Sequence, residues 1–233
     1  FMGRYLNPKT YKWEGEDADY RPDSDDIPWS FIPEKKITVE DVKYTLSSYF
    51  QGTEYNCYGK HGDLSKRGMF RPIGINRNSV LELTQLRPYA SEKYRAIEWI
   101  ALGSNAFNAF VPFYANIDKT PEYFANTTDK VSTENFYWAN RLIGALADAQ
   151  FALCASHIER YQASLAIAAF HVIHEYDKKL KDEKLSKEQA IKLQEEANEE
   201  IAKIAKEQTD QVLGNVLFEV SCAMKNGFSR SDA

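Results

Sequence analysis

The chain is poor in cysteine: Cys57, Cys154 and Cys222 lie far apart among 233 residues. So sparse and odd a set gives no disulfide framework and fits a reducing, cytoplasmic compartment. No pair has the CxxC spacing of a zinc site, and no metal or cofactor is expected. Clustered Lys and Arg are also missing, and the net charge is -5. A nucleic-acid surface needs such clusters to neutralise phosphates, so nucleic acid is not an expected partner. No apolar run approaches the ~20 residues of a membrane-spanning helix. The most apolar stretch, Ala163 to Ile173, is flanked by Glu159, Arg160 and His174, so no membrane partner is expected. Phe1 to Leu6 lacks the charged start and apolar run of a signal peptide. GxGxxG, P-loop, GxSxG and HExxH patterns are absent too, which removes phosphate cradles, hydrolase elbows and zinc-protease helices from consideration.

What is present is an ordinary globular balance, 43% hydrophobic and 27% charged, in a chain long enough to bury a core. Residues 1–36 carry Pro8, Pro22, Pro28 and Pro33 together with Tyr5, Tyr11, Trp13, Tyr20, Trp29 and Phe31. Proline breaks helices and aromatics seek contact, which predicts an ordered, packed loop region. Thr38 and Asp41 approach a capping box, and Val42, Leu46 and Tyr49 follow on one helical face. Gln51 to Gly68 reads as a glycine-bearing loop. Pro72–Asn76 and Val80–Leu86 read as strands joined by a turn at Asn76-Arg77-Asn78. Ile97–Leu102 is a further strand ended by Gly103-Ser104-Asn105, and Asn108–Tyr114 is a fourth strand or a buried loop. From Ser132 onward there is no proline, and the pattern is helical. Ser132 and Thr133 offer N-caps for a segment running to about Leu180, as two helices or one bent one, with Ala163–Ile173 deep in the core. Ser186 and Gln189 form a capping box for an amphipathic surface helix. A last helix, Asp210–Met224, is capped by Asn226-Gly227.

The expected class is therefore α+β: antiparallel strands followed by a helical C-terminal half. Residues 1–130 form a loop-rich region with one helix and the strands, and residues 131–233 a helical region of the same domain.

Candidate chemistry is thin. His171, His174 and Glu175 share a helix, but no outside metal ligand is evident, and packed or capping histidines fit better; the same holds for His157. Cys57 has Lys60 and His61 nearby, yet a bystander cysteine is the simpler reading. Cys154 and Cys222 read as core. Two polar constellations stand out. Arg71 and Arg77 flank a short apolar segment beside Asn76 and Asn78, and Ser104, Asn105 and Asn108 sit where a strand ends. Such groups line pockets or serve turns, and the pattern leaves both open.

Several stretches resemble a known family. They are Arg71-Pro72-Ile73-Gly74-Ile75-Asn76-Arg77, Ala101 through Asn116, Val131 through Leu142, Tyr49 through Tyr55, and Ile158 through Gln162. Together they are similar to the bacterial dipeptidase A family of lactic-acid bacteria and relatives, over residues 1 to 224. That resemblance implies part of a four-layer αββα sandwich of the N-terminal-nucleophile hydrolases. It also implies a cysteine nucleophile exposed as the mature N-terminal residue, with its own α-amine as base, and an oxyanion pocket. Because the first residue here is Phe1, the nucleophile is expected in an upstream half, and no catalytic residue is assigned within this chain. Arg71 best matches, by position, an arginine that the family's relatives place near the catalytic cysteine, with Arg77 second. Their implied role is to tune the thiolate or hold a substrate carboxylate. Asn76, Asn105 and Asn108 are candidate substrate-binding residues.

The expected function is thus the second part of a cysteine-type dipeptidase. Its expected partners are dipeptides, the upstream half and further copies in a homo-oligomer. The alternatives are a non-catalytic helical binding or assembly module that uses the Ser186–Gln208 helix, and a thiol enzyme dependent on Cys57.

Overall fold

A computed structural model describes residues 1–225 as two compact units, Phe1–Gly74 and Ile75 onward.

The first unit is mostly irregular. It holds two helices, α1 (Met2–Leu6) and α2 (Val39–Leu46). The capping box forms as the sequence predicts: the Asp41 amide donates to Thr38 Oγ1 (3.1 Å), and the Thr38 amide donates to Asp41 Oδ2 (2.9 Å). Tyr5 Oη (2.7 Å) and Lys35 Nζ (3.0 Å) also donate to Asp41. The Thr38 amide, then Tyr5, hold the Asp41 carboxyl well below the usual carboxylate range. The 1–36 segment is held by aromatic packing. Tyr11, Trp13, Tyr20 and Phe31 all touch one another, with ring centroids 5.4 to 6.2 Å apart.

The expected strand at Pro72–Asn76 does not form. Pro72 has no amide to give to a ladder. The Gly74 amide donates instead to Ser48 O (2.8 Å), and Gly74 lies so close to the Ser47 backbone that no Cβ fits there. The backbone groups are spent on the end of α2, and a turn closed by Asn78 N to Ile75 O (3.0 Å) leads into the first strand.

The second unit is α+β. Strands β1 (Val80–Leu86), β2 (Ala96–Leu102) and β3 (Val111–Tyr114) form an antiparallel sheet in the order β1-β2-β3. Leu83 stands opposite Trp99, and Trp99 opposite Pro112. This register puts Leu81, Leu83, Ile97, Trp99, Ala101 and Tyr114 on one face. That face meets the helices. After α3 (Glu122–Ala125) come α4 (Phe136–Ala149), α5 (Phe151–Leu180) and α6 (Lys187–Cys222). The cap of α4 is Asn135, whose side chain accepts from the Trp138 amide, rather than the expected Ser132 or Thr133. The break between α4 and α5 falls at Gln150. A short turn folds α6 back antiparallel on α5, and the Ser186 capping box forms as predicted.

Two helical expectations are corrected. The separate helix expected at Asp210–Met224 is the continuation of α6, which runs unbroken for 36 residues. No proline interrupts it, and Thr209, at the supposed join, is buried and hydrogen-bonded to Tyr161 Oη (3.0 Å). The expected Asn226-Gly227 cap lies outside the described residues. Nor is Ala163–Ile173 buried all round. Leu165, Ala169, Val172 and Ile173 are buried, whereas Ile167 is 71% and Phe170 57% exposed. Only one stripe of α5 faces partner elements, so an apolar composition cannot bury the other side. Among the described residues no helix is long and apolar enough to cross a membrane.

The sheet is tied to the helices by one buried polar knot. Arg87, in the β1–β2 connection, grips Asp177 of α5 through Nη1 (2.6 Å) and Nη2 (3.1 Å), and Nη2 also donates to Tyr94 O (2.6 Å). Tyr114 Oη donates to the same carboxylate (2.8 Å). Burial, then that hydrogen bond, push the Tyr114 phenol far above its ordinary range. From α6, Asn198 accepts from Tyr114 N (2.9 Å) and donates to Tyr114 O (3.0 Å).

Removing one partner from such a pair strands the other. Asp177→Ala is expected to destabilise the second unit by about 3 kcal/mol, read as a lower urea midpoint at unchanged slope. A second expectation concerns acid. The folded-state value of Asp41 is depressed, so its contribution is complete above the unfolded value of about 3.9 and fades as pH falls through the folded one. The stability gap between wild type and Asp41→Ala should therefore hold from neutral pH to about pH 4 and close below it. Urea unfolding followed by tryptophan fluorescence across that range would check this; a gap that closes at neutral pH would contradict it.

Candidate functional site

The C-terminal end of β2 gathers most of the sequence-predicted polar residues of the second unit. Here the chain must turn sharply, and Gly103 does so at φ 88°, a region that side chains disfavour. Its amide donates to Ser79 O (2.9 Å). A Cβ on Gly103 would stand 3.2 Å from Asn140 Cβ and 3.3 Å from Arg141 N. One built on Gly144 would meet Phe107 and Ser104, each at 3.3 Å. Two glycines therefore let α4 lie directly on the β2–β3 connection.

That connection buries the polar Ser104, Asn105 and Asn108 among the apolar Ala106, Phe107, Ala109 and Phe110. Ser104 O accepts from the Phe107 (2.9 Å) and Asn108 (3.1 Å) amides. Asn108 Nδ2 donates to Leu102 O (3.0 Å) and to Asn105 Oδ1 (3.3 Å). From α5, Gln162 Nε2 donates to Ala106 O (3.2 Å) and Asn108 O (3.0 Å). Asn105 and Asn108 are thus buried and engaged with the backbone or each other, whereas Asn76 and Arg77 are exposed. Arg71 is exposed and belongs to the first unit.

A residue that sequence reasoning missed joins these parts. Arg141 Nη1 donates to Asn76 O (2.7 Å) and to Ser104 Oγ (3.3 Å), and Ser104 Oγ donates to Asn76 O (3.1 Å). Beside them lies a cavity of about 300 Å³, whose wall includes Asn76, Ser104, Trp138, Arg141 and Asp148. Arg141 and Asp148 are seven residues apart on α4, two turns along one face, with Cα atoms about 10.5 Å apart. A guanidinium, a carboxylate, a hydroxyl and an indole around one concavity suit a short zwitterion with an apolar part. The signal was visible in principle: Arg141 and Asp148 are the two charged residues of an otherwise apolar, small or amide-bearing helix.

The other candidates stand apart. Cys57 is half-buried, Cys154 is buried and Cys222 exposed; burial pushes the Cys154 thiol up. His157 lies 3.3 Å from Glu219, and His171 and His174 are exposed on α5. Among the described residues no three His, Cys, Asp or Glu side chains converge as a metal ion would require.

Substitution at the turn has a direct readout. Gly103→Ala is expected to cost about 1–3 kcal/mol from backbone strain, while Gly214→Ala, in open space on α6, should be neutral or raise the thermal midpoint. Equal losses at both positions would contradict the assigned role of Gly103.

Comparison with known proteins gives a consistent result. The chain is 41% identical to a dipeptidase of Bifidobacterium longum, over 100% of its own length and 50% of that protein. It is 39% identical to a probable dipeptidase A of Streptococcus pyogenes, over 99% of its length and 46% of that protein. It is 30% identical to dipeptidase A of Lactobacillus helveticus, over 92% of its length and 45% of that protein. The chain therefore spans about half the length of the curated relatives it matches, and it corresponds to their C-terminal half. The model of peptidase family C69 matches residues 2–164, which is most of the chain, and the chain belongs to that family.

Proposed function

We propose that this chain is the C-terminal part of a cysteine-type dipeptidase, and that the nucleophile resides in the half of the relatives' length it does not span. The observation that carries this reading is the match to dipeptidases along the whole chain, 41% identical over 100% of it. In the reaction a thiolate adds to the peptide carbonyl carbon, and oriented N–H donors steady the oxyanion. Collapse breaks the C–N bond and leaves a thioester, and the departing amine takes up the proton that the thiol gave to the base. Water then hydrolyses the thioester and restores the thiol. By the same reading the sheet of the second unit is one layer of an αββα sandwich.

The part supplied by this chain is recognition. A dipeptide carries an ammonium and a carboxylate, and its two residues span about 7 Å fully extended. Arg141 and Asp148, two turns apart on the wall of that cavity, suit those two ends. Trp138 and Val131, on the same cavity wall, suit a side chain. Arg141 has N–H groups beyond those given to Asn76 O and Ser104 Oγ, and its planar fork matches a carboxylate. The exposed Asn76 and Arg77 lie at the approach to this cavity or beside it in sequence, and Arg71 is the candidate for tuning the thiolate. Asn105 and Asn108 serve indirectly by holding the turn that carries Ser104. The apolar stripe of α6 is used within its own unit, where Ala197, Ile201 and Val216 are buried, so an assembly role for the Ser186–Gln208 face has no separate support.

The test is amino-acid release from a dipeptide panel under reducing conditions. The chain alone should release none, and the N-terminal half of the Bifidobacterium longum dipeptidase added in trans should restore release. In that restored system Arg141→Ala should raise KM about 10- to 100-fold, as expected for a lost hydrogen bond to a charged group, and change kcat less. Release by the chain alone would overturn the reading.

A further inference from the structure

The sheet of the second unit ends differently at its two edges. On the β3 side the edge is closed. Pro112 withholds a donor, and Asn198 of α6 takes both the amide and the carbonyl of Tyr114, at 2.9 and 3.0 Å. On the β1 side it is open among the described residues of this unit. The Gly103 amide donates to Ser79 O (2.9 Å) and the Arg87 amide to Arg95 O (3.0 Å), and these bonds bracket the β1–β2 ladder. In an antiparallel pair the inward-bonding residues alternate. Residues 81, 83 and 85 therefore bond to β2, and Val80, Glu82, Thr84 and Leu86 turn their amides and carbonyls outward.

Nothing in β1 blunts that edge. Its sequence, Val-Leu-Glu-Leu-Thr-Gln-Leu, has no proline, lysine or glycine and a single charge. Soluble proteins normally protect such an edge with lysine, proline, a bulge or a covering segment. The outward residues are also bare in their side chains: Val80 is 54% and Leu86 68% exposed. A seven-residue strand with these features is a template for another strand.

We propose that the outer edge of β1 is a strand-docking site, and that its occupant is an extended segment from the N-terminal half of the dipeptidase. This rests on the reading that the chain works together with that half. Two observations favour this occupant. The relatives carry about as much additional chain as the length matched here, 50% of the Bifidobacterium longum protein. And among the described residues the sheet has three strands, fewer than the usual five or six, about the number an ordinary sheet settles at. The sole charge, Glu82, sits at the middle of the edge, so the docking strand should place a basic or hydroxyl side chain opposite it.

The experiment is residue-resolved amide exchange by NMR on the chain, alone and mixed with the N-terminal half of the Bifidobacterium longum dipeptidase. In the chain alone, the amides of Val80, Glu82, Thr84 and Leu86 should exchange at least ten-fold faster than those of Leu81, Leu83 and Gln85. In the mixture the first set should slow at least ten-fold, which removes the alternation. General stabilisation would slow both sets and keep it. Glu82→Ala should retain the effect, because the contact is through backbone. Glu82→Pro should abolish it while the amides of α5 show the fold intact. A co-eluting complex with unchanged outward amides would overturn the proposal, as would the absence of a complex. Outward protection in the chain alone, eluting at dimer size, would overturn it too and seat a second copy there. Dipeptide release without loss of alternation would sink the docking site and leave the functional reading standing. Loss of alternation without release would do the reverse.

Discussion

The second unit depends on the ion pair between Arg87 and Asp177. It joins three elements that are distant in sequence: the β1–β2 connection, the end of β3 through Tyr114, and α5. A buried pair repays its desolvation only when every donor and acceptor is used well. Here the guanidinium also serves Tyr94 O, and both carboxylate oxygens accept. Asn198 then extends the same knot to α6. The apolar core gives this unit most of its stability, since such burial is the dominant favourable term in folding. Burial is non-directional, however, and cannot by itself choose where along α5 the sheet sits. A bidentate pair with a shared phenol can choose, because a shift of one helical turn would strand both charges.

A second constraint follows from the first. With the sheet fixed on α5 and α6, α4 must cross the end of β2 at close range, and Gly103 and Gly144 are what permit it. This is how the cavity arises. Arg141 and Asp148 ride on a helix pressed against the turn that carries Ser104, so the charged groups are positioned by rigid elements rather than by a loop. Asn105, Asn108 and Gln162 face inward and hold that turn in shape. Their polarity serves the backbone, while Arg141, Asp148 and Asn76 form the wall.

Much of this was legible in the sequence, and the failures have physical causes. Capping boxes at Thr38 and Ser186 were readable because cap chemistry is local. Strands β1 and β2 were readable from their apolar and β-branched runs. The segment Pro72–Asn76 looked equally strand-like, but a strand needs a partner for its backbone, and composition does not reveal that the Gly74 amide goes to Ser48. The unbroken α6 was misread because polar residues near Thr209 resemble a junction until Tyr161 is seen to meet that hydroxyl. On α5, periodicity reports which residues are apolar and not how many sides have neighbours, hence the exposed Ile167 and Phe170. The site shows the same limit. Strand-end asparagines were found as polar outliers in an apolar run, but their direction was not, and Arg141 was hidden because a lone arginine on a helix normally means solvent.

The two edges of the sheet differ in how they are protected. A chain that closes one edge with proline and a dedicated asparagine, yet leaves the outward backbone groups of Val80, Glu82, Thr84 and Leu86 unguarded at the other, has not simply neglected its periphery. Edge protection costs little, since one lysine or proline suffices. Its omission at β1 is most economically explained if the edge is normally covered. The same logic applies to the cavity. In the function proposed above, Arg141 and Asp148 supply matched charges for the ends of a dipeptide, and recognition of that kind needs an attacking group before it becomes turnover. Under the two proposals made above, one segment would serve both features, extending the sheet beyond β1 and bringing a nucleophile to a dipeptide on α4. Because strand pairing fixes register to a single residue, docking at β1 would place that nucleophile with a precision that a flexible tether could not supply.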